Sequence, residues 1–176
     1  MENGLYAIIS LIFQVGLALV LAALLEEVVH QRLRGLLRTI YFIPATISIT
    51  VAGILSSFIY NPQIGLLNRA LSAVGLGSFA QDWLGNPGTA IYGVIAMSQW
   101  QSIGYTAVLF VVAMQRIPRE LYEAAKVDGA GHVRTFFSIT VPLLREMTTL
   151  VVILTLSGAF LVFNEVMVMT AGGPSN

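Results

Sequence analysis

Residues 117–142 read IPRELYEAAKVDGAGHVRTFFSITVP, a polar, charge-bearing segment set between two long apolar ones. Pro118 suits the first position of a helix, where its missing N–H is not needed, and Glu120 then falls in the first turn, where the helix dipole favours an anion. ELYEAAKV supplies good helix formers, and Gly129 is the residue type that ends a helix in the left-handed conformation. A helix of about three turns and then a break are expected. At that break the dipole opposes an anion by about 0.3–1 kcal/mol, whereas a side-chain acceptor capping the next helix contributes about 1 kcal/mol. Asp128 is therefore expected to face the turn and cap the second helix. That helix should cover about residues 132–139, with Pro142 near the start of the next apolar helix. Small side chains at Ala124 and Ala125 let the first helix sit deeply in a partner's groove, with Leu121 and Tyr122 as candidate anchors. Pairing of Glu123 with Lys126 or Arg119 on an exposed helix face would contribute only about 0.2–0.5 kcal/mol.

The flanks of this segment set the class. Hydrophobic residues make up 56% of the 176 and charged residues 10%, with mean hydropathy +0.81, against a charged fraction of about 25% in soluble domains. The expectation is an all-α integral membrane protein, a polytopic helical bundle forming a single transmembrane domain. Cysteine is absent, which removes disulfides, thiolate catalysis and Cys-ligated metals, and His30 and His132 lie far apart beside basic residues, so no metal site is expected. Nine basic and nine acidic residues leave no global charge to attract nucleic acid. No GxxxxGK[ST] phosphate loop is present, so nucleotide must bind elsewhere.

Four membrane helices are expected, over about residues 5–25, 40–60, 91–114 and 148–169. The first, about 21 residues, matches the roughly 20 needed to cross about 30 Å of hydrocarbon, and is too long for a signal-peptide core. Residues 26–38 read as a charged, short connection, and Pro44 would lie in the first turns of the second span. Thr46, Thr50, Gly53 and Ser57 fall near one face by spacing, which suggests close helix packing first and a pathway lining second. Residues 61–88 carry the turn signals NP, GLG and GNPG around an amphipathic run, Gly65 to Val74, read as an interfacial helix with Trp83 at headgroup depth. Basic residues cluster in the first connection (Arg32, Arg34, Arg38) and around the central loop (Arg116, Arg119, Lys126, Arg134, Arg145), leaving Arg69 alone in the segment 61–90. Two crossings separate the clusters, so both share one side, the cytoplasmic side by the positive-inside rule. Residues 115–147 then form a cytoplasmic loop, and residues 61–90 an extracytoplasmic segment.

Glu123-Ala124-Ala125, then Gly129, then Ile139-Thr140-Val141-Pro142 resembles the EAA loop of the membrane subunits of binding-protein-dependent ATP-binding cassette importers. The longer run EAAKVDGAGHVRTFFSITVPLL and the later MTAGGP are similar to the carbohydrate-uptake branch, with Val141 where leucine is frequent and Ala171 where the second motif has glycine. The resemblance implies a permease subunit that moves a sugar or oligosaccharide across the cell membrane of a prokaryote, without an ATPase site of its own. It implies that Leu121, Tyr122, Glu123, Ala124, Ala125, Asp128, Gly129, Ile139 and Pro142 couple the chain to ATP-hydrolysing subunits, which bind ATP and Mg. A second homologous permease and an extracytoplasmic solute-binding protein are the other partners implied. Against the usual helix number of that family, the chain reads as a fragment lacking a first and a last helix.

Two intramembrane clusters are candidate pathway residues. Gln99, Trp100 and Gln101 combine amides with an aromatic ring, which suits a sugar's hydroxyls and apolar face; interhelical hydrogen bonding is the alternative. Asn164 and Glu165 lie beyond the middle of the fourth span, and a carboxylate at the bilayer centre costs about 2.5–3.5 kcal/mol, so Glu165 should face an aqueous vestibule or a partner. An ion-coupled secondary transporter would favour charged residues or broken helices near the midplane, and a membrane-embedded enzyme would need convergent acid, base or nucleophile residues.

Overall fold

The computed structural model describes residues 2–27, 29–160 and 163–170; the side chains of Asn164 and Glu165 lie outside the described set. Helix α1 covers residues 2–27 as Glu2–Ser10, a π-helical segment Leu11–Leu17, and Ala18–Glu27. Its apolar run Gly4–Glu26 has 23 residues, enough to cross a membrane. Helix α2, Gln31–Thr46, begins almost at once, so most of the expected connection 26–38 is helical. The reason is local. His30 accepts from the Arg32 N–H, and one turn apart Arg34 and Arg38 both reach back to Glu26, so the charges that read as a loop hold a helix hairpin together.

The second expected span is not continuous. Helix α3, Ile49–Ile59, leaves α2 at 96°. Pro44 is buried in the last turn of α2 rather than in the first turns of a longer helix. Stop and start signals sit side by side here: the Ile47 N–H bonds the Pro44 carbonyl at 3.2 Å, and the Ser48 hydroxyl accepts from the Val51 N–H at 3.4 Å as the cap of α3. The Ile47 carbonyl, freed by the break, accepts from the Gln101 side chain at 2.6 Å, which satisfies a backbone group that lipid could not. The break puts Thr46 on a different helix from Thr50, Gly53 and Ser57. Of these four, Gly53 makes the close approach: a Cβ there would meet Val168 at 2.7 Å.

Helix α4, Leu66–Ala73, lies in the segment joining α3 to α5, Pro87–Met114. Asn86 caps α5 by accepting from Gly88, and Pro87 occupies its first turn, so the third span begins ahead of the expected residue 91. This 28-residue helix is the axis of the bundle. Ala18 and Ala22 of α1 are fully buried beside Phe110 and Val111 of α5. On another face, a Cβ at Gly104 would stand 1.6 Å from the Tyr41 carbonyl, so α2 rests on the α5 backbone itself. Small residues at the crossings suit a bilayer, where lipid tails are as apolar as leucine and close backbone approach replaces hydrophobic drive.

Beyond α5 come α6, Arg119–Val127, then α7 over residues 132–143, α8, Arg145–Phe160, and α9, Phe163–Thr170. The expected fourth span, 148–169, therefore falls on two helices, the second of which packs on α3. Helices α7 and α8 form the other bent pair, at 71°. Among the described residues two helices are long and apolar enough to cross a membrane, and four spans result if each bent pair is one.

Candidate functional site

In the central loop, Pro118 is the N-cap of α6 rather than its first residue, and Glu120 stands in the first turn. The helix ends with Gly129 at φ +72. The Gly129 N–H bonds the Lys126 carbonyl at 3.1 Å and the Ala130 N–H bonds the Ala125 carbonyl at 2.9 Å, the paired closure of a Schellman turn. Asp128 does not cap the next helix. Its own N–H is held by the Ala124 carbonyl at 2.9 Å, which fixes it in the last turn of α6, and α7 starts from Gly131 with no side-chain cap.

Helix α7 runs past the expected 139 as His132–Thr135, a π-helical segment Phe136–Thr140 and Val141–Leu143, so Pro142 lies inside it and not at the head of the next helix. A proline ring in a regular helix clashes with the carbonyl four residues back; the wider π turn just before Pro142 gives that ring room.

The loop has two faces. Tyr122 turns inward, its hydroxyl 3.1 Å from that of Thr140, and packs with Ile139 against the core built on Phe110 and Leu144, while Ala125 is buried beneath the helix. Leu121, Ala124 and Val127 turn outward with Glu123, Asp128, Gly129 and Pro142 also exposed; Val127 is 88% exposed. Sequence reasoning missed Val127, Val133 and Phe137, exposed apolar residues; the signal at Val127 and Val133 was their isolation between polar neighbours.

The structure separates the glutamine–tryptophan cluster. Gln99 is buried and donates to the Ser10 hydroxyl at 2.8 Å, leaving its own carbonyl oxygen without a partner among the described residues. Trp100 points outward. Of the three, Gln101 alone borders a cleft of about 600 Å³. Gln14, Ser102, Tyr105, Thr106 and Thr155 line it too, with no charged side chain among the described residues there. Thr155 donates to the Gln14 amide oxygen at 3.1 Å. These residues were missed, although Gln101, Tyr105 and Ser98, Ser102, Thr106 recur at helical spacing on α5. Asn164 and Glu165 stand on α9, their side chains outside the described set.

Residues 7–174 match the family described as the binding-protein-dependent transport system inner membrane component. The chain belongs to this family. It is 51% identical over 173 residues to the probable ABC transporter permease protein YurN of Bacillus subtilis, covering 98% of this chain and 59% of that protein. It is 33% identical to the arabinooligosaccharides transport system permease protein AraP of Halalkalibacterium halodurans, covering 97% of this chain and 54% of the relative. The fold matches a chain of a bacterial ABC transporter involved in the import of the acidic polysaccharide alginate, with TM-score 0.86 and 25% identity over 96% of this chain and 58% of that one. That transporter is also seen in complex with an alginate pentasaccharide-bound periplasmic protein. The chain thus spans a little over half the length of these relatives, and its all-helical importer fold bears out the expected class.

Proposed function

We propose that the chain is the transmembrane permease subunit of an ATP-driven importer that moves a sugar or oligosaccharide across the cell membrane. The observation that carries this reading is the loop's construction: one face tied to the bundle through Tyr122, Thr140 and Ala125, the other presenting Leu121, Ala124 and Val127 to a partner. Helix α5 ends at that loop and, nearer its middle, lines the uncharged polar cleft with Gln101, Ser102 and Tyr105. A push on the loop is thereby delivered to the cleft through one rigid helix. Amides, hydroxyls and the Tyr105 ring suit a polyhydroxylated solute. Asn164 and Glu165 belong in this reading to the wall of an aqueous vestibule.

The loop faces the cytoplasm, in accord with its basic residues, and residues 61–90 face outward. ATP and Mg are bound by separate ATP-hydrolysing subunits that grip the α6–α7 knob, with Glu123, Asp128, Gly129 and Pro142 at the contact. A second homologous permease completes the pathway, and an extracytoplasmic binding protein delivers the solute. The break between α2 and α3 would also suit an ion-coupled carrier, but the cleft beside it holds no charged side chain among the described residues to bind the coupling ion.

A cysteine-free chain makes the test direct. Ala124→Cys is expected to cross-link to a co-expressed ATPase subunit in native membranes, in a manner altered by ATP, while Arg69→Cys at the opposite end is not. No adduct from any cysteine placed singly along 120–134 would overturn the coupling reading.

A further inference from the structure

A second cleft, of about 970 Å³, lies between the loop and the α1–α2 hairpin. Four permanent cations, Arg34, Arg38, Arg119 and Lys126, border it against two carboxylates, Glu26 and Glu123. The ion pairs found among the described residues both end on Glu26: Arg34 Nη1 at 3.2 Å, and Arg38 Nη2 in close contact. Glu26 therefore serves two guanidinium groups and leaves a positive excess. Arg34 also spends its Nε on the Val29 carbonyl at 2.8 Å, but the Arg38 Nε is buried with no acceptor among the described residues. Arg119 and Lys126, on the facing helix, make no ion pair among the described residues. A buried donor without an acceptor among the described residues, in a cleft bordered by four permanent cations and two carboxylates, calls for an anion.

Position in the bilayer narrows its kind. Glu26 closes the apolar run of α1 and Met114 closes that of α5, and both residues line the cleft. It therefore sits where the hydrocarbon gives way to headgroups. Arginine forks match phosphate oxygens bidentately, and basic pockets between membrane helices take phosphate headgroups.

We propose that this cleft binds the phosphate of an anionic phospholipid, with Arg38, Arg119 and Lys126 as headgroup contacts. The lipid would bridge α2 to α6, and so tie the loop helix to the bundle alongside Tyr122, which also lines the cleft.

Lys126 is the chain's single lysine, so its acetylation by acetic anhydride reads the cleft as a mass shift of the peptide that carries it. The assembled transporter, with its partner subunits, would be placed in nanodiscs of phosphatidylcholine alone or mixed equally with phosphatidylglycerol. Phosphatidylglycerol is expected to slow acetylation of Lys126 about tenfold. Arg38→Gln should abolish that protection, while Arg69→Gln, at the other end of the bundle, should preserve it. Protection by millimolar inorganic phosphate in pure phosphatidylcholine would keep the phosphate site but assign it to a free anion. Equal acetylation in both discs without phosphate protection would overturn the proposal. So would a Lys126 already shielded in phosphatidylcholine and exposed only when the ATPase subunit is stripped away, since a protein side chain would then fill the cleft.

Discussion

Residues 61–86 and 117–142 solve the same local problem and differ in what they leave over. Each carries a short amphipathic helix closed by glycine at positive φ, Gly75 at +81 and Gly129 at +72, with the same pair of backbone bonds. Both also expose apolar side chains, Leu66 and Phe79 in one, Val127 and Phe137 in the other. Exposure alone does not tell them apart; their hydrogen bonds do. In the first, Asn68 donates to the Pro62 and Gln81 carbonyls and accepts from the Gln81 N–H and the Trp83 indole, knotting the segment onto itself. In the second, Tyr122 bonds Thr140 and thereby ties α6 down onto α7 and the core. A segment knotted internally keeps its shape unaided, whereas one pinned along a single face suits the force transmission proposed for it.

The sharpest way to break that contrast is to strain both turns alike. A Cβ at Gly75 or at Gly129 meets nothing within 4 Å, so valine at either position is strained chiefly by the left-handed backbone, at least about 1–2 kcal/mol and more for its branched Cβ. With equal strain, Gly129→Val is expected to abolish ATP hydrolysis stimulated by the loaded binding protein while the chain still inserts in the membrane. Gly75→Val should leave that stimulation nearly intact. Equal losses, measured on the reconstituted transporter, would mean that the two turns do not differ in role.

The next largest effect should come from Asn68→Ala, which removes four hydrogen bonds from a partly exposed knot, about 2 kcal/mol of local stability. Trp83 loses its indole acceptor, so its fluorescence should shift to the red in a Trp100→Phe background and residues 61–86 should exchange amide hydrogens faster. Residues 117–142 should exchange as before. Faster exchange in both segments would show that the knot is not self-contained.

Much of this was legible in the sequence because it rests on local chemistry. Gly129, the first and third spans and the helix–turn–helix loop derive from caps, apolar length and a left-handed glycine. The break at Ile47 was not, because an apolar run hides a stop signal, Pro44, and a start signal, Ser48, that only a backbone trace brings together. Gln99 and Gln101 were read as one cluster because they are adjacent but one; on a helix two residues turn about 200°, which sends their amides to different neighbours. Arg34 and Arg38 read as topology markers, and Glu26 as the start of a charged connection, because their pairing depends on how α1 and α2 fold back on each other. Asp128 failed as a cap because the backbone closed the turn without it.

The mildest change asks whether the pin matters as a hydrogen bond or only as a packed ring. Tyr122→Phe keeps the ring against Ile139 and removes the bond to Thr140, which should cost about 1 kcal/mol. A difference of that size multiplies the loop's opening equilibrium about fivefold, visible as faster hydrogen exchange over residues 119–127 with no change over 61–86. If the pin transmits force, the same variant should raise ATP hydrolysis in the absence of solute, because a looser loop lets the ATP-hydrolysing subunits close without moving α5. Faster exchange with unchanged basal hydrolysis would assign force transmission to the buried Ala125 face instead, where Ala125→Leu would be the variant to make.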